Sequence, residues 1–286
     1  MTGIDEYADV LPDGLRLLWP TVAEVAHEVK GRLVGGTALA VHLRHRQSED
    51  LDVMTLREFS GRSVAKRMQA AGRSVAVIET GPNMFHARVD DVKVDVFRAL
   101  PTIHEVGPSD MTWIRPAVRI DGMPVASPAD IMATKLDTIT RRAKLRDYID
   151  IYALDVSGAC SLEDGLSHYC KRNGHDYPPP AHGRLVHLLE EPGVLDSDPQ
   201  HADMADTALS HLRGRAPELM DYVGDSLDIE AAIPPLPSAA VPPHRRPLSA
   251  RGYENPSGEC GRLMPRARKR CVLRAGHSGP CRSKLR

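Results

Sequence analysis

Gly35-Gly36-Thr37-Ala38-Leu39-Ala40-Val41-His42-Leu43-Arg44-His45-Arg46-Gln47-Ser48-Glu49-Asp50-Leu51-Asp52 is the stretch on which the fold turns. Two glycines let a backbone come close to an anionic group, and the amides at the helix start that follows, near Thr37, can donate to its oxygens. Thr37 to Leu43 has the composition of a short helix, and Asp50-Leu51-Asp52-Val53-Met54 alternates as a strand. In a strand, residues two apart share a face, so Asp50 and Asp52 converge on one side while Leu51 and Val53 enter the core. Carboxylates paired in this way are suited to hold a hard cation such as Mg2+ or Mn2+.

The flanking chain supplies the rest of a mixed sheet. Apolar positions at Leu15, Leu18, Val22, Val25 and Val29 predict a helix over 12–30, with Pro20 as a kink or break, and Leu33-Val34 reads as the strand leading into the glycines. Ser60 or Ser63 is a candidate cap for a helix running through Ala71. Two strands, Ser74 to Glu79 and Met84 to Val89, precede Val92 to Phe97, with a turn at Asp90-Asp91. The valines of this last run share one face and leave Lys93, Asp95 and Phe97 on the other. An acid on an edge strand is ordinarily just solvated. Following a Gly-Gly and an Asp-x-Asp, Asp95 is read as the third carboxylate.

A hairpin is expected at Val118-Arg119-Ile120 and Met123-Pro124-Val125 around Asp121-Gly122. Ser127 and Pro128 then open a helix whose apolar side is Ile131, Met132, Leu136 and Ile139, with Lys135 off its centre. From the residues alone Lys135 is open to two readings, a solvated lysine, which is the commoner case, or one that reaches a phosphate. In the next helical segment Asp147 and Asp150 stand i, i+3 on one face, placed to orient Lys135 or a nucleobase, or else to form an ordinary surface cluster with the neighbouring arginines.

Gly35-Gly36-Thr37, His45-Arg46, Ser48 and Asp50-Leu51-Asp52 resemble the first motif of the AbiEii/AbiGii (MenT-like) nucleotidyl transferase toxins, within the polymerase-beta-type superfamily. Lys135 resembles that family's helix-borne lysine, and Arg146-Asp147-Tyr148-Ile149-Asp150 with Leu154 resembles its Arg-Asp-x-x-Asp-x-x-x-Leu motif, so the resemblance covers roughly 30–156. Arg44, where a small residue is common, and Val53-Met54, in place of an aromatic run, depart from the pattern.

The resemblance implies an α/β (α+β) fold, a nucleotidyltransferase-type mixed sheet flanked by helices. It implies transfer of a nucleoside monophosphate from a nucleoside triphosphate to RNA, with a tRNA 3′ end as the narrower expectation. The toxin half of a toxin–antitoxin or abortive-infection system follows, with a cognate antitoxin as partner. In this reading Asp50, Asp52 and Asp95 bind Mg2+ or Mn2+, Lys135 stabilises the leaving pyrophosphate, and Gly35, Gly36, Thr37, Arg46, Ser48, Asp147 and Asp150 serve the nucleotide. A glycosyltransferase using Asp-x-Asp, and a non-catalytic nucleic-acid-binding protein with an inert transferase fold, are the alternatives.

The 286 residues, 42% hydrophobic, suffice for a sizeable core. The net charge of −1 hides a split, because 244–286 holds 12 Lys and Arg against 2 Asp and Glu, leaving 25 against 36 in the remainder. A basic, nucleic-acid-facing tail on an acidic body is the expectation. With no apolar run of membrane-crossing length and no basic-then-apolar start, the chain is read as cytoplasmic, without a membrane partner. Cys160 and Cys170 fall in a helical pattern as buried thiols, whereas Cys260, Cys271, His277 and Cys281 make a candidate four-ligand zinc set.

Beyond Ser161 helical patterns over Leu162–Arg172, Ala181–Glu190 and Ala202–Val223 suggest a bundle, and six prolines between Ile233 and Pro247 a linker. The expected organisation is a transferase domain over 1–156, a helical C-terminal domain over 157–231, a Pro-rich linker over 232–257 and a flexible basic tail over 258–286.

Overall fold

A computed structural model describes residues 3–99, 112–172, 181–196 and 199–232. By compactness the chain divides into Met1–Ile233 and Pro234–Arg286, and the second unit, with Cys260, Cys271, His277 and Cys281, lies outside the described residues.

Among the described residues seven strands form one sheet: β1 (Arg32–Val34), β2 (Asp50–Thr55), β3 (Val75–Gly81), β4 (Met84–Val89), β5 (Val92–Arg98), β6 (Val118–Ile120) and β7 (Met123–Val125). Their spatial order is β3-β4-β5-β2-β1-β7-β6. The pairs β2/β5 and β1/β7 are parallel and the others antiparallel, so the sheet is mixed. Around it stand α1 (Asp13–Glu28), α2 (Gly35–Leu43), α3 (Gly61–Ala70), α4 (Pro128–Ile139), α5 (Leu145–Val156), α6 (Leu162–Arg172), α7 (Ala181–Glu190) and α8 (Ala202–Ala232).

Local chemistry accounts for most of these elements. The β4–β5 turn uses Asp90 and Asp91, and the β6–β7 turn Asp121 and Gly122, all at positive φ as tight hairpins require. Asp90 offsets part of its strain by accepting from the Ser74 amide at 2.8 Å and from Arg73 at 3.1 Å. Ser127 caps α4 by accepting from the Asp130 amide at 3.1 Å, and its hydroxyl donates to Asp130 Oδ2 at 2.7 Å. Ser60 is the N-cap residue of α3 without a side-chain cap. Pro20 does not break the chain into two helices; α1 runs through it, with Leu15, Leu18, Trp19 and Val22 buried. Trp19 satisfies its indole N–H on the Ile120 carbonyl at 3.0 Å, tying α1 to β6.

Arg44 ends α2 in the left-handed region at φ 52°. Its guanidinium donates to Asp9 and to the Glu6 carbonyl, both at 2.7 Å, and lies 4.9 Å over the Tyr7 ring. The departure from a small residue there is explained by this grip on a short 3-10 helix, Ile4–Tyr7, that sequence periodicity does not reveal.

The core is continuous. Leu33, Leu51, Val53, Val94 and Val96 of the sheet belong to the same buried cluster as Leu162 and Leu166 of α6, Leu185 of α7 and Leu212 and Leu219 of α8. Full burial of each such side chain contributes about 1.5–3 kcal/mol. α4 packs against α2, α5 and α6, so helical part and sheet share one interior across residue 156. Cys160 and Cys170 are buried and form no disulfide; Cys170 lies in α6, whereas Cys160 falls in the turn between α5 and α6, outside the helical pattern expected for it. Among the described residues no helix is long and apolar enough to cross a membrane.

Candidate active site

The parallel register of β2 and β5 sets Asp52 beside Asp95 and Asp50 beside Lys93. Neighbouring strands lie about 4.8 Å apart, so three carboxylates and one ammonium share a small area of the sheet's open face. Leu51, Val53, Val94 and Val96 are fully buried on the opposite side, which is what the alternation requires. Burial, reinforced by the negative charges of Asp95 and Asp50, pushes the Asp52 carboxyl up to about 6 against the pull of Lys93 and Lys135.

Two side chains that sequence reasoning passed over complete this corner. Lys93 Nζ lies 3.2 Å from Asp95 Oδ2 and 3.8 Å from Asp50 Oδ2. Burial pulls this lysine down, but Asp50, Asp95 and Asp52 outweigh it and hold it above its ordinary value. His86, opposite Asp95 on β4, donates from Nδ1 to Asp95 Oδ1. The available signal for Lys93 was its position two residues before Asp95 on the same strand face. His86 had none, because the pairing of β4 with β5 becomes visible only in register.

The glycine turn abuts the acids directly. Gly35 has φ +74°, and a Cβ there would collide with Asp52 Oδ2. A Cβ on Gly36 would collide with Arg46 Nη2 and stand 3.0 Å from Ser48 Oγ. The nearest cause of both glycines is therefore the close approach of protein side chains. α2 starts at Gly35, two residues before the expected Thr37. Thr37 is buried; its hydroxyl bonds Ser48 Oγ at 2.8 Å and also the Asp50 carbonyl, which pins the helix start to the beginning of β2.

A second charged cluster forms the adjoining wall. Lys135, expected to reach a phosphate, is buried, and its ammonium is 2.8 Å from Asp147 Oδ1 and 2.6 Å from Asp150 Oδ2. Arg46 grips Asp150 in a fork, Nε to Oδ1 at 2.8 Å and Nη2 to Oδ2 at 3.0 Å, and His45 Nε2 donates to Oδ1 at 2.8 Å. Arg142 donates to Asp147 Oδ2 at 3.0 Å. Burial raises the Asp150 carboxyl, but Lys135 and Arg46 overcome this and hold it well below its usual range. Asp147 is lowered too, its burial outweighed by Lys135 and Arg142. Asp147 and Asp150 thus both contact Lys135 and are buried, not an exposed surface cluster.

Both clusters open on one cleft of about 470 Å³, lined by Gly35, Gly36, Arg46, Ser48, Asp50, Asp52, Asp95, Lys135 and Asp147, with Lys93, Arg98, Arg142 and Arg172 adding positive charge. Its volume is in the range of small-molecule sites, and its lining carries both acids and cations.

The three carboxylates that β2 and β5 bring to one face offer only oxygen donors, the kind that hard Mg2+ or Mn2+ prefers. By this chemistry the three carboxylates fit a divalent ion. Among the described residues, however, no three Asp, Glu, His or Cys side chains stand close enough as placed to enclose an ion.

A sequence-family model described as "Nucleotidyl transferase AbiEii toxin, Type IV TA system" matches residues 16–225. No curated protein matches the chain. Solved structures that it resembles include the Megavirus polyadenylate synthase, at 13% identity over 50% of this chain and 31% of that one, with a TM-score of 0.36. Another is the antibiotic-resistance factor ANT(2'')-Ia, at 16% identity over 74% of this chain and 96% of that one, with a TM-score of 0.30. The chain spans about a third of the length of the polyadenylate synthase, and both scores lie below the level at which superposition implies a shared fold.

Proposed function

The chain belongs to the AbiEii nucleotidyl transferase toxin family, and on that premise we propose that this nucleotidyltransferase moves a nucleoside monophosphate from a nucleoside triphosphate onto an RNA, with a tRNA 3′ end as the acceptor. The observation that carries the reading is the convergence of Asp50, Asp52 and Asp95 beside the Gly35–Gly36 helix start, in one cleft with a basic wall.

In this reading Asp50, Asp52 and Asp95 hold Mg2+ or Mn2+. Bound there, the metal would lower the pKa of the acceptor hydroxyl and neutralise charge on the triphosphate. The amides at the start of α2, with Ser48 and Arg46 beside them, receive phosphate oxygens. Lys135, held by Asp147 and Asp150, brings a fixed positive charge to the wall where pyrophosphate departs. As the acceptor oxygen bonds to the α-phosphorus, the bond to pyrophosphate breaks, and the protein's work is alignment and charge neutralisation.

The proposal extends to the rest of the chain. Residues 1–156 carry the catalytic groups, 157–231 complete the body, 232–257 act as a linker, and 258–286 form a basic tail in which Cys260, Cys271, His277 and Cys281 bind Zn2+ and the arginines bind RNA. A cognate antitoxin silences the activity in the cytoplasm.

Incubating the full chain with total RNA and each α-labelled nucleoside triphosphate tests the reading. Label transferred to RNA, lost in chelator and restored by Mg2+ or Mn2+, is expected. Failure of every nucleotide to label RNA while the folded protein labels a small-molecule acceptor would overturn the RNA assignment. About one zinc per chain, absent after deletion of 244–286, is expected for the tail.

A further inference from the structure

Lys93 has no part in the mechanism above, yet it sits among the three acids. Its ammonium is 3.2 Å from Asp95 Oδ2 and 3.8 Å from Asp50 Oδ2, and in register it faces Asp50 across the β2–β5 ladder. The side chain is 39% exposed, against 33% for Asp50 and 19% for Asp95, so the contact lies at the open mouth of the cluster. Three carboxylates on neighbouring positions of one sheet face repel each other unless a cation stands between them. A lysine is suited to that place because its ammonium is a compact point charge on a flexible stem that can swing aside without moving the strand.

We propose that Lys93 is the built-in counter-cation of the acid cluster: its ammonium offsets the charge of Asp50 and Asp95 while no divalent ion is bound, and gives up its place when one enters. The inference rests on the reading of Asp50, Asp52 and Asp95 as ligands of a divalent cation. Two cations cannot share the mouth of the cluster without repulsion, so Lys93 lowers metal affinity while it stabilises the metal-free protein. Metal uptake and the position of this side chain are therefore linked, and the site stays ordered until an ion arrives.

The test uses the full chain, stripped of metal and titrated calorimetrically with Mn2+, with thermal melts in the presence and absence of Mn2+. Lys93→Gln and Lys93→Met both remove the charge, so that one serves if the other does not fold. Each is expected to bind Mn2+ about tenfold more tightly than the wild type, because a positive charge a few Å from the ion has been removed. Each should also melt at a lower temperature without metal and show a larger rise with it, whereas Lys93→Arg should follow the wild type. Wild-type binding of Mn2+ with equal or weaker binding by both neutral variants would overturn the proposal. If the wild type binds no Mn2+, like an Asp52→Asn control, the acid cluster is not a metal site, and the reading beneath the proposal falls with it.

Discussion

Gly35 and Asp52 are fitted so closely that a methyl group on the first would occupy the space of the second's carboxylate oxygen. The glycine also holds φ +74°, where an L-residue is strained by roughly 1–2 kcal/mol. Gly35→Ala is therefore expected to destabilise the fold by about 1–3 kcal/mol and to displace Asp52. Denaturant melts should register the first effect and label transfer the second. Wild-type activity in this variant would show that the Asp52 position is not critical.

Asp50→Ala, Asp52→Ala and Asp95→Ala should each leave a folded protein, because deleting one acid relieves repulsion among those that remain. Each should lower transfer on the order of a thousandfold or more, several kcal/mol of lost charge stabilisation, and should abolish toxicity to the host cell. Circular dichroism beside the transfer assay distinguishes loss of chemistry from loss of fold. Near-normal transfer by Asp95→Ala would remove Asp95 from the set.

Lys135→Ala should affect stability as well as rate. It leaves Asp147 and Asp150 short of a buried partner, a change that typically costs about 3–5 kcal/mol when a buried pair is broken, although Arg46, His45 and Arg142 retain part of the compensation. Lys135→Arg should recover some stability and little of the transfer rate. A urea midpoint for Lys135→Ala equal to the wild type's would contradict the buried network.

Burial pushes the thiols of Cys160 and Cys170 up to about 12 from an ordinary value near 9. Between those values the native chain keeps protons that the unfolded chain releases, so stability falls as pH rises from about 9 toward 12. Both cysteines should resist alkylation at pH 8 in the native protein and react in denaturant, with peptide mass spectrometry reporting each site. Rapid native labelling of Cys160 or Cys170 would disprove their burial.

Tyr148 is fully buried, and among the described residues its hydroxyl has no hydrogen-bond partner. Tyr148→Phe removes an uncompensated polar group and is expected to be neutral or stabilising by up to about 1 kcal/mol. A clear drop in the urea midpoint would reveal a partner for the hydroxyl.

Much of the site was legible because its parts are local. The alternation of Asp50 to Val53 and of Val92 to Phe97 fixes which side chains face the cleft, and the i, i+3 spacing of Asp147 and Asp150 fixes a helix face. Long-range pairing was not legible. Arg46 meets Asp150 across 104 positions of chain, and His86 meets Asp95 only because β4 and β5 pair in one particular register. Lys135 shows the same limit: periodicity placed it beside the apolar face of α4, but its burial depends on acids from α5. Continuous burial could likewise keep α1 helical through Pro20, which local propensity alone would not predict.

The shared interior has a genetic consequence. Every candidate catalytic side chain precedes residue 151, yet Leu212, Leu219 and Val223 of α8 are buried in the same cluster as Leu51 and Val96 beneath the acids. A nonsense or frameshift mutation between about residues 151 and 223 would open this shared core while sparing the coding sequence of the whole site. Cells escaping a toxin of this build would therefore carry inactivating lesions spread along most of its reading frame, with many of them far downstream of the chemistry.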